Sequence, residues 1–479
     1  MVIKPPGRAN AYVSRRAIPI HRCTGRPERL LAIPVLIIFY LGMVSITCFG
    51  GVSEAGESTS FVQVPNPLDG DNPTFRLTDA PAPKPGESVW DPRLGCRQFR
   101  ATAQEGLRHE YARHDPFNVD CSRILLLLLN KGEWRVYKAS GLPYDAPGNL
   151  IRTIGIEEPR WDEADPRVLW GTREFQIVRV NVESGDEAIV KDFRKDPVVG
   201  PVLQREPDLY RVTMKDEGEP SRDRRYWAFI VQGSKEDYRA RYLLVWDRQQ
   251  DRVLGMRKLS ADESRIDWVG MSPKGNWVLV GADHDNGGAL PGFVMLDREL
   301  KTVHLLHSST GHADVGLDSA GNEVVVMQNA QTDYIDLIPL DPATKPVLPG
   351  GEYRGTGHVP LVRLFYASDS PIGFSSGVHV SCNFPGWCVI STHIDPATPE
   401  KNWLDRSIIM VRLDRDRPRA YYLTKVHGTC GTYWEETHAT MSADGSRIVW
   451  ATNWGADVGR EKVWLAEMDL PANWHSRLE

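Results

Sequence analysis

Cysteine is scarce, with seven residues in 479, and the seven are scattered. So sparse a set excludes a small disulfide-stapled scaffold. Positive charge is also in short supply: 57 Lys and Arg face 63 Asp and Glu, a formal net of −6. Nucleic-acid binding wants a basic footprint, so nucleic acid is excluded as the main partner. Almost no window beyond residue 105 repeats its apolar residues at helical spacing, which argues against a helical domain. No HExxH helix occurs. What remains is ordinary for a globular chain, 41% hydrophobic and 25% charged, with 41 Gly, 34 Pro and 15 Trp.

The charge is unevenly placed. Residues 1–29 hold seven basic side chains and one acid, and residues 30–49 (LLAIPVLIIFYLGMVSITCF) hold no charge. A basic flank before an apolar segment of this length is expected to be a signal peptide or signal anchor over 1–49. The rest of the chain is then secreted, periplasmic or membrane-anchored on the extracytoplasmic side, touching the membrane only through that segment. Beyond residue 49 the chain carries 50 basic and 62 acidic side chains, a net of −12. Any anion recognition must therefore come from local cations rather than from the field of the whole protein. An exported chain can form disulfides, and Cys382 and Cys388 are near enough in sequence to pair. Residues 50–104, with PNPLDGDNP and APAPKPG, are expected to form an extended Pro/Gly-rich arm.

From 105 to 479 the pattern repeats. Short apolar runs of strand length alternate with turn signals, most clearly in DGSRIVWATNW at 444–454. Related units begin at residues 118, 163, 221, 272, 318 and 383, which makes seven. Their spacing predicts an all-β, seven-bladed β-propeller. A propeller is expected to act as a monomer here. In such a ring the innermost strand of each blade lines a central channel. Residues just before or at its start gather at one mouth, though far apart in sequence.

Those positions are polar. RHEYARHDPFN offers Arg108, His109, Tyr111 and Arg113; EEPRW offers Arg160 and Trp161; GHADVG, GVHVSCN and EETHATMS offer His312, His379 and His438. Four of only 13 histidines (His109, His312, His379 and His438) fall at one repeat position. The triad His312, His379 and His438 could hold a divalent ion, and imidazole suits Mn²⁺ or Zn²⁺ better than Ca²⁺. The same rings could instead satisfy backbone groups between blades. Arg108, Arg113, Arg160, Arg173 and Arg225 could fork onto carboxylates, and Trp161 and Trp454 could stack on sugar faces.

The segments RHEYARHDPFNVD, EPRWDEADPRVLW, GHADVGLD, GVHVSCNFPGWCVIST and ETHATMSADGSRIVWATNWG resemble the seven-bladed propeller polysaccharide lyases, including the oligogalacturonate and ulvan lyases. The resemblance implies β-elimination at a uronic acid within an anionic polysaccharide or oligosaccharide. In the oligogalacturonate branch it implies Mn²⁺ held by late-blade histidines and a glutamine. The chain departs from that pattern: Val380 and Ser381 follow His379 where a His-x-His pair is expected, and neither Gln328 nor Gln331 takes the glutamine role by position. Elimination needs a cation on the uronate carboxylate, a base for the C5 proton and an acid for the leaving oxygen. Arg160 or the ion, His109 and Tyr111 are the expected players. A glycoside hydrolase using paired carboxylates, and an exported non-catalytic binding propeller, are the alternative readings.

Overall fold

A computed structural model describes residues 61–478, apart from 237, 283–285, 330, 347–354, 367–376, 395–401, 457–458 and 460–461. The segment read as a signal or anchor lies outside the described residues. No described helix is long and apolar enough to cross a membrane.

Antiparallel sheets of four strands follow one another along the chain and form seven blades. Blade one spans 107–154, blade two 157–192, blade three 211–258, blade four 266–307, blade five 313–363 and blade six 377–425. The innermost strands are the predicted segments: Glu157–Trp161, Ile266–Met271, Ala313–Leu317, Gly377–Ser381 and Thr440–Met441.

The middle strands read as unbroken apolar runs because both faces of a blade are covered by its neighbours. In Tyr226–Gln232 (YWAFIVQ) every residue is buried. The core accordingly lies between blades. Trp170 and Ile177 of blade two pack on Trp227, Phe229, Leu244 and Trp246 of blade three, with Trp227 stacked on Phe229 at 5.9 Å between ring centroids. The hairpins that leave the inner strands of blades four to seven turn on Gly275, Gly321, Gly386 and Gly445. All four have φ between +71° and +80°, where a Cβ is strained, which accounts for the recurrent Gly at that step of the repeat.

The ring closes through the stretch read as an arm. Cys96–Arg100 pairs antiparallel with the C-terminal strand Trp464–Asp469 (Phe99 opposite Glu467, Arg100 opposite Ala466), and Ser88–Asp91 adds outside it. Blade seven therefore mixes both ends of the described chain. Further upstream, Val62–Gln63 adds to the outer strand of blade six. Between these strands, Pro73 and Ala80 accept hydrogen bonds from Tyr422 Oη (2.8 Å) and Trp454 Nε1 (2.9 Å). Pro and Gly in 61–104 thus mark an extended path along blades six and seven. A ring of sheets leaves an open edge unless a strand from the far end fills it.

All five described cysteines are thiols, Cys382 and Cys388 included, so the pairing suggested by their spacing is not present. A chain starting at residue 105 lacks both strands that complete blade seven. It is expected to melt at least about 10 °C below the chain that retains them, by thermal circular dichroism.

Candidate functional site

Blade one does not supply a full inner strand. After Leu107–Arg108 the chain leaves the sheet and residues 109–115 enter the channel. The contacts made there reach around the ring. Arg113 donates from Nε to the Ala313 carbonyl of blade five (2.5 Å), pairs with Glu217 of blade three (3.4 Å) and lies 4.0 Å over the Trp268 ring of blade four. The His114 carbonyl accepts from Thr440 Oγ1 of blade seven (3.2 Å), and Asp115 accepts from the Ala443 N–H (2.6 Å). Arg160 of blade two donates to His114 Nε2 (2.8 Å), to Glu110 (3.2 Å) and to the Asp216 carbonyl (2.7 Å). Burial and Arg160 push His114 down to about 4, so the ring is a neutral acceptor for that guanidinium. This segment plugs the channel. Toward the far ends of the inner strands, Arg113 and Trp268 line a polar cavity together with Glu217, Glu219 and Asp314.

The histidines lie toward the other end of the inner strands. Four imidazoles and a carboxylate converge there: His312 from blade five, His379 and His393 from blade six, and Glu436 and His438 leading into blade seven. The ring centroid of His379 lies 4.6 Å from that of His312, 5.3 Å from that of His393 and 3.9 Å from that of His438. Glu436 faces three ring nitrogens, with His379 Nε2 at 2.8 Å, His438 Nε2 at 3.5 Å and His393 Nε2 at 3.6 Å. Tyr111 on the plug forms the floor, its hydroxyl 3.2 Å from His312 Nδ1. Behind it, Arg108 is fully buried and donates to the carbonyls of His109 (2.9 Å) and Trp434 (2.7 Å) and to His438 Nδ1 (2.7 Å). His109 Nε2 donates to the His438 carbonyl. His438 itself is held at φ +45°, a left-handed conformation that costs about 1–3 kcal/mol in a non-glycine residue.

Burial keeps these rings neutral. It lowers His312, drives His379 and His438 well below the ordinary histidine range and takes His393 to about 3; Arg108 and the neighbouring imidazoles add to the effect on His379 and His438. Neutral imidazole with a carboxylate is the donor set that first-row divalent ions prefer. His379, Glu436 and His438 can bring one ligating atom each to within 4.8 Å of one another. Among the described residues, His438 Nε2, the nitrogen turned toward Glu436, is buried without a hydrogen-bond partner, a cost that an ion among these side chains would relieve. The residues present fit a divalent ion.

The structure places the sequence-derived candidates in three groups. His312, His379, His438 and Tyr111 meet at the mouth. Arg108, His109, Arg113 and Arg160 are buried around the plug at 0–4% exposure, each holding carbonyls, carboxylates or rings of the protein. The remaining four lie elsewhere. Arg173 pairs with Glu187 on the outer half of blade two and Arg225 with Asp247 of blade three, while Trp161 donates to the Pro116 carbonyl. Trp454 stacks on His427 at 4.0 Å. His393 and Tyr433 escaped the repeat argument. His393 ends the second strand of its blade, so it is out of phase with the other histidines. Tyr433 sits in a short 3-10 turn, 43% exposed, with its ring 4.9 Å from His438. Buried Glu435 pins that turn by accepting from Thr429 Oγ1 and the Gly431 N–H (both 2.8 Å).

Neither family models nor characterised proteins match this sequence. The fold does match solved structures. An oligogalacturonate lyase in complex with manganese superposes with a TM-score of 0.52 at 11% identity, covering 82% of this chain and 97% of its own. The oligogalacturonate lyase of Vibrio parahaemolyticus also superposes with 0.52, at 10% identity, covering 82% and 98%. The fold is thus a seven-bladed propeller. More particularly, it is the propeller on which those lyases are built.

His393 gives a pH test. Its folded value near 3 lies below the ordinary 6.5, so the unfolded chain takes up the proton first and stability is lost as pH falls from about 6.5 toward 3. Between pH 7.5 and 5 the metal-free protein is expected to lose about 2 kcal/mol more than His393→Gln in urea unfolding, the size of a 1.5-unit gap.

Proposed function

We propose that this protein is a polysaccharide lyase that cleaves a uronic-acid-containing glycan by ion-assisted β-elimination outside the cytoplasm. One observation carries the reading: an imidazole and carboxylate cluster fit for a divalent ion lies where the inner strands begin, in a propeller with the oligogalacturonate lyase fold. Elimination puts carbanion-like charge beside the uronate carboxylate, which calls for a cation close to it. The channel arginines Arg108, Arg113 and Arg160 are already engaged within the protein. The positive charge is left to an ion, which supplies Lewis-acid neutralisation of the uronate when bound; Mn²⁺ suits the donors.

The protein's own residues do the rest. Glu436 and its imidazoles hold the cation. His312, half-buried at the mouth and kept neutral by burial, is poised to take the C5 proton, with Tyr111 orienting its Nδ1. The plug beneath excludes water from that side. The phenol of Tyr433 stands at the rim, where the leaving glycosidic oxygen needs a proton. The expected partner is an acidic oligosaccharide entering from the histidine end.

Incubation with polygalacturonate and other uronate polymers in Mn²⁺ is expected to yield products that absorb in the ultraviolet through a new C4–C5 double bond. His379→Ala is expected to lower that rate at least about 100-fold. Reducing ends without absorbance would make the protein a hydrolase. Binding without turnover on any uronate polymer would make it a binding propeller.

A further inference from the structure

Two cysteines face each other across the inner hairpin of blade six. Cys382 follows the inner strand Gly377–Ser381, and Cys388 lies in the next strand, Trp387–His393. The ladder between these strands sets Gly377 opposite His393, His379 opposite Ser391 and Ser381 opposite Val389. One step further along it, Cys382 stands opposite Cys388. Residues directly opposite in an antiparallel pair put their side chains on the same face. The two thiols accordingly hydrogen-bond to each other, and both are buried at 1% exposure. Among the described residues the other cysteines have different company. Cys96 meets Thr424, Cys121 meets Asp444, and Cys430 donates to the Ile394 carbonyl (2.9 Å).

The backbone of Cys382 is fixed by other blades. Its N–H is given to Asp314 of blade five (2.5 Å), and its carbonyl accepts from Arg222 of blade three (3.2 Å). The N–H therefore does not reach across to Cys388, which makes the pair a non-hydrogen-bonded one. Such pairs hold their Cα atoms about 4.5 Å apart, inside the range of roughly 4.4–6.8 Å that a disulfide spans. Blade five leaves space for the Cys382 side chain because residue 316 is glycine: a Cβ there would lie 2.6 Å from Cys382 Cβ. We infer that Cys382 and Cys388 form a dithiol–disulfide couple, held reduced in this structure, whose oxidised form staples the hairpin that joins the strands of His379 and His393. The oxidant is another disulfide, of a small thiol or of an exchange protein. One cysteine sulfur attacks it to form a mixed disulfide, releasing one thiol, and the second cysteine displaces the other thiol. Two electrons and the two thiol protons pass to the oxidant. With both sulfurs buried in the finished ring, exchange takes place before blade six has packed on blade five. The inference does not depend on the proposed reaction.

Trypsin isolates the pair, because the peptide 364–401 holds Cys382 and Cys388 and no other cysteine. Full-length protein is folded in a mixture of oxidised and reduced glutathione, alkylated in denaturant, digested and analysed by mass spectrometry. Peptide 364–401 is expected to be lighter by two hydrogens and free of alkyl groups, and to take two alkyl groups after dithiothreitol. In Cys388→Ser it is expected to carry one. Oxidised wild type is expected to melt about 3 °C above its dithiothreitol-reduced form, a difference that disappears in Cys388→Ser. Full alkylation of both cysteines without dithiothreitol overturns the inference, as does either of them joined to a different cysteine or to glutathione. A melting difference that persists in Cys388→Ser puts the staple elsewhere and overturns it too. Should Cys388→Ser not fold, the mass of the wild-type peptide decides by itself.

Discussion

The structure depends on the ion pairing inside its channel. Seven blades around an axis leave a hole, and here the hole is filled by the chain between Arg108 and Asp115. Buried guanidinium groups are costly unless every donor finds a partner, and removing one side of such a pair typically costs about 3–5 kcal/mol. Arg113 and Arg160 meet most of that demand by contacting blades two to five between them, using carbonyls, carboxylates and rings. The same contacts that satisfy the charges hold the blades at one spacing. They also bring the Tyr111 hydroxyl to the imidazole at the mouth. Rigidity of the plug and geometry of the site are one property.

The electrostatics of the mouth follow from that filling. A chain with a net of −12 beyond its first 49 residues has no general attraction for an acidic glycan. Its buried arginines raise the local potential but are already committed to protein groups. The imidazoles, kept neutral by burial and by neighbouring cations, add polar ligating capacity without charge. Among the described residues Glu436 faces three of them at once, and so is the position where a positive ion gains most.

The fold was largely legible in the amino-acid order, because a propeller repeats its turn chemistry. Gly275, Gly321, Gly386 and Gly445 recur at one step, and the inner-strand segments around Trp268, Asp314 and His379 follow the same phase. The site was legible only where it respected that phase. His312, His379 and His438 share a blade position and meet in space. His393 comes from a second strand, so no periodic reading could select it. The arginines were found as residues but read for the wrong company. A sequence shows that Arg113 lies near the channel, yet not that Glu217, Ala313 and Trp268 consume its donors. Residues 61–104 looked like a linker because Pro and Gly mark an absence of regular structure as readily as a strand path along someone else's edge.

The closing of blade seven by Cys96–Arg100 against Trp464–Asp469 has a consequence for how the chain is made. These partners lie more than 360 residues apart in sequence, so the contact becomes available only late in synthesis. Until the final strand emerges, an upstream β-strand must wait with an unpaired edge, the condition under which β-proteins associate wrongly. Folding of the ring is thereby tied to synthesis of Trp464–Asp469, and a nascent chain depends on being kept apart from its neighbours until that strand is released.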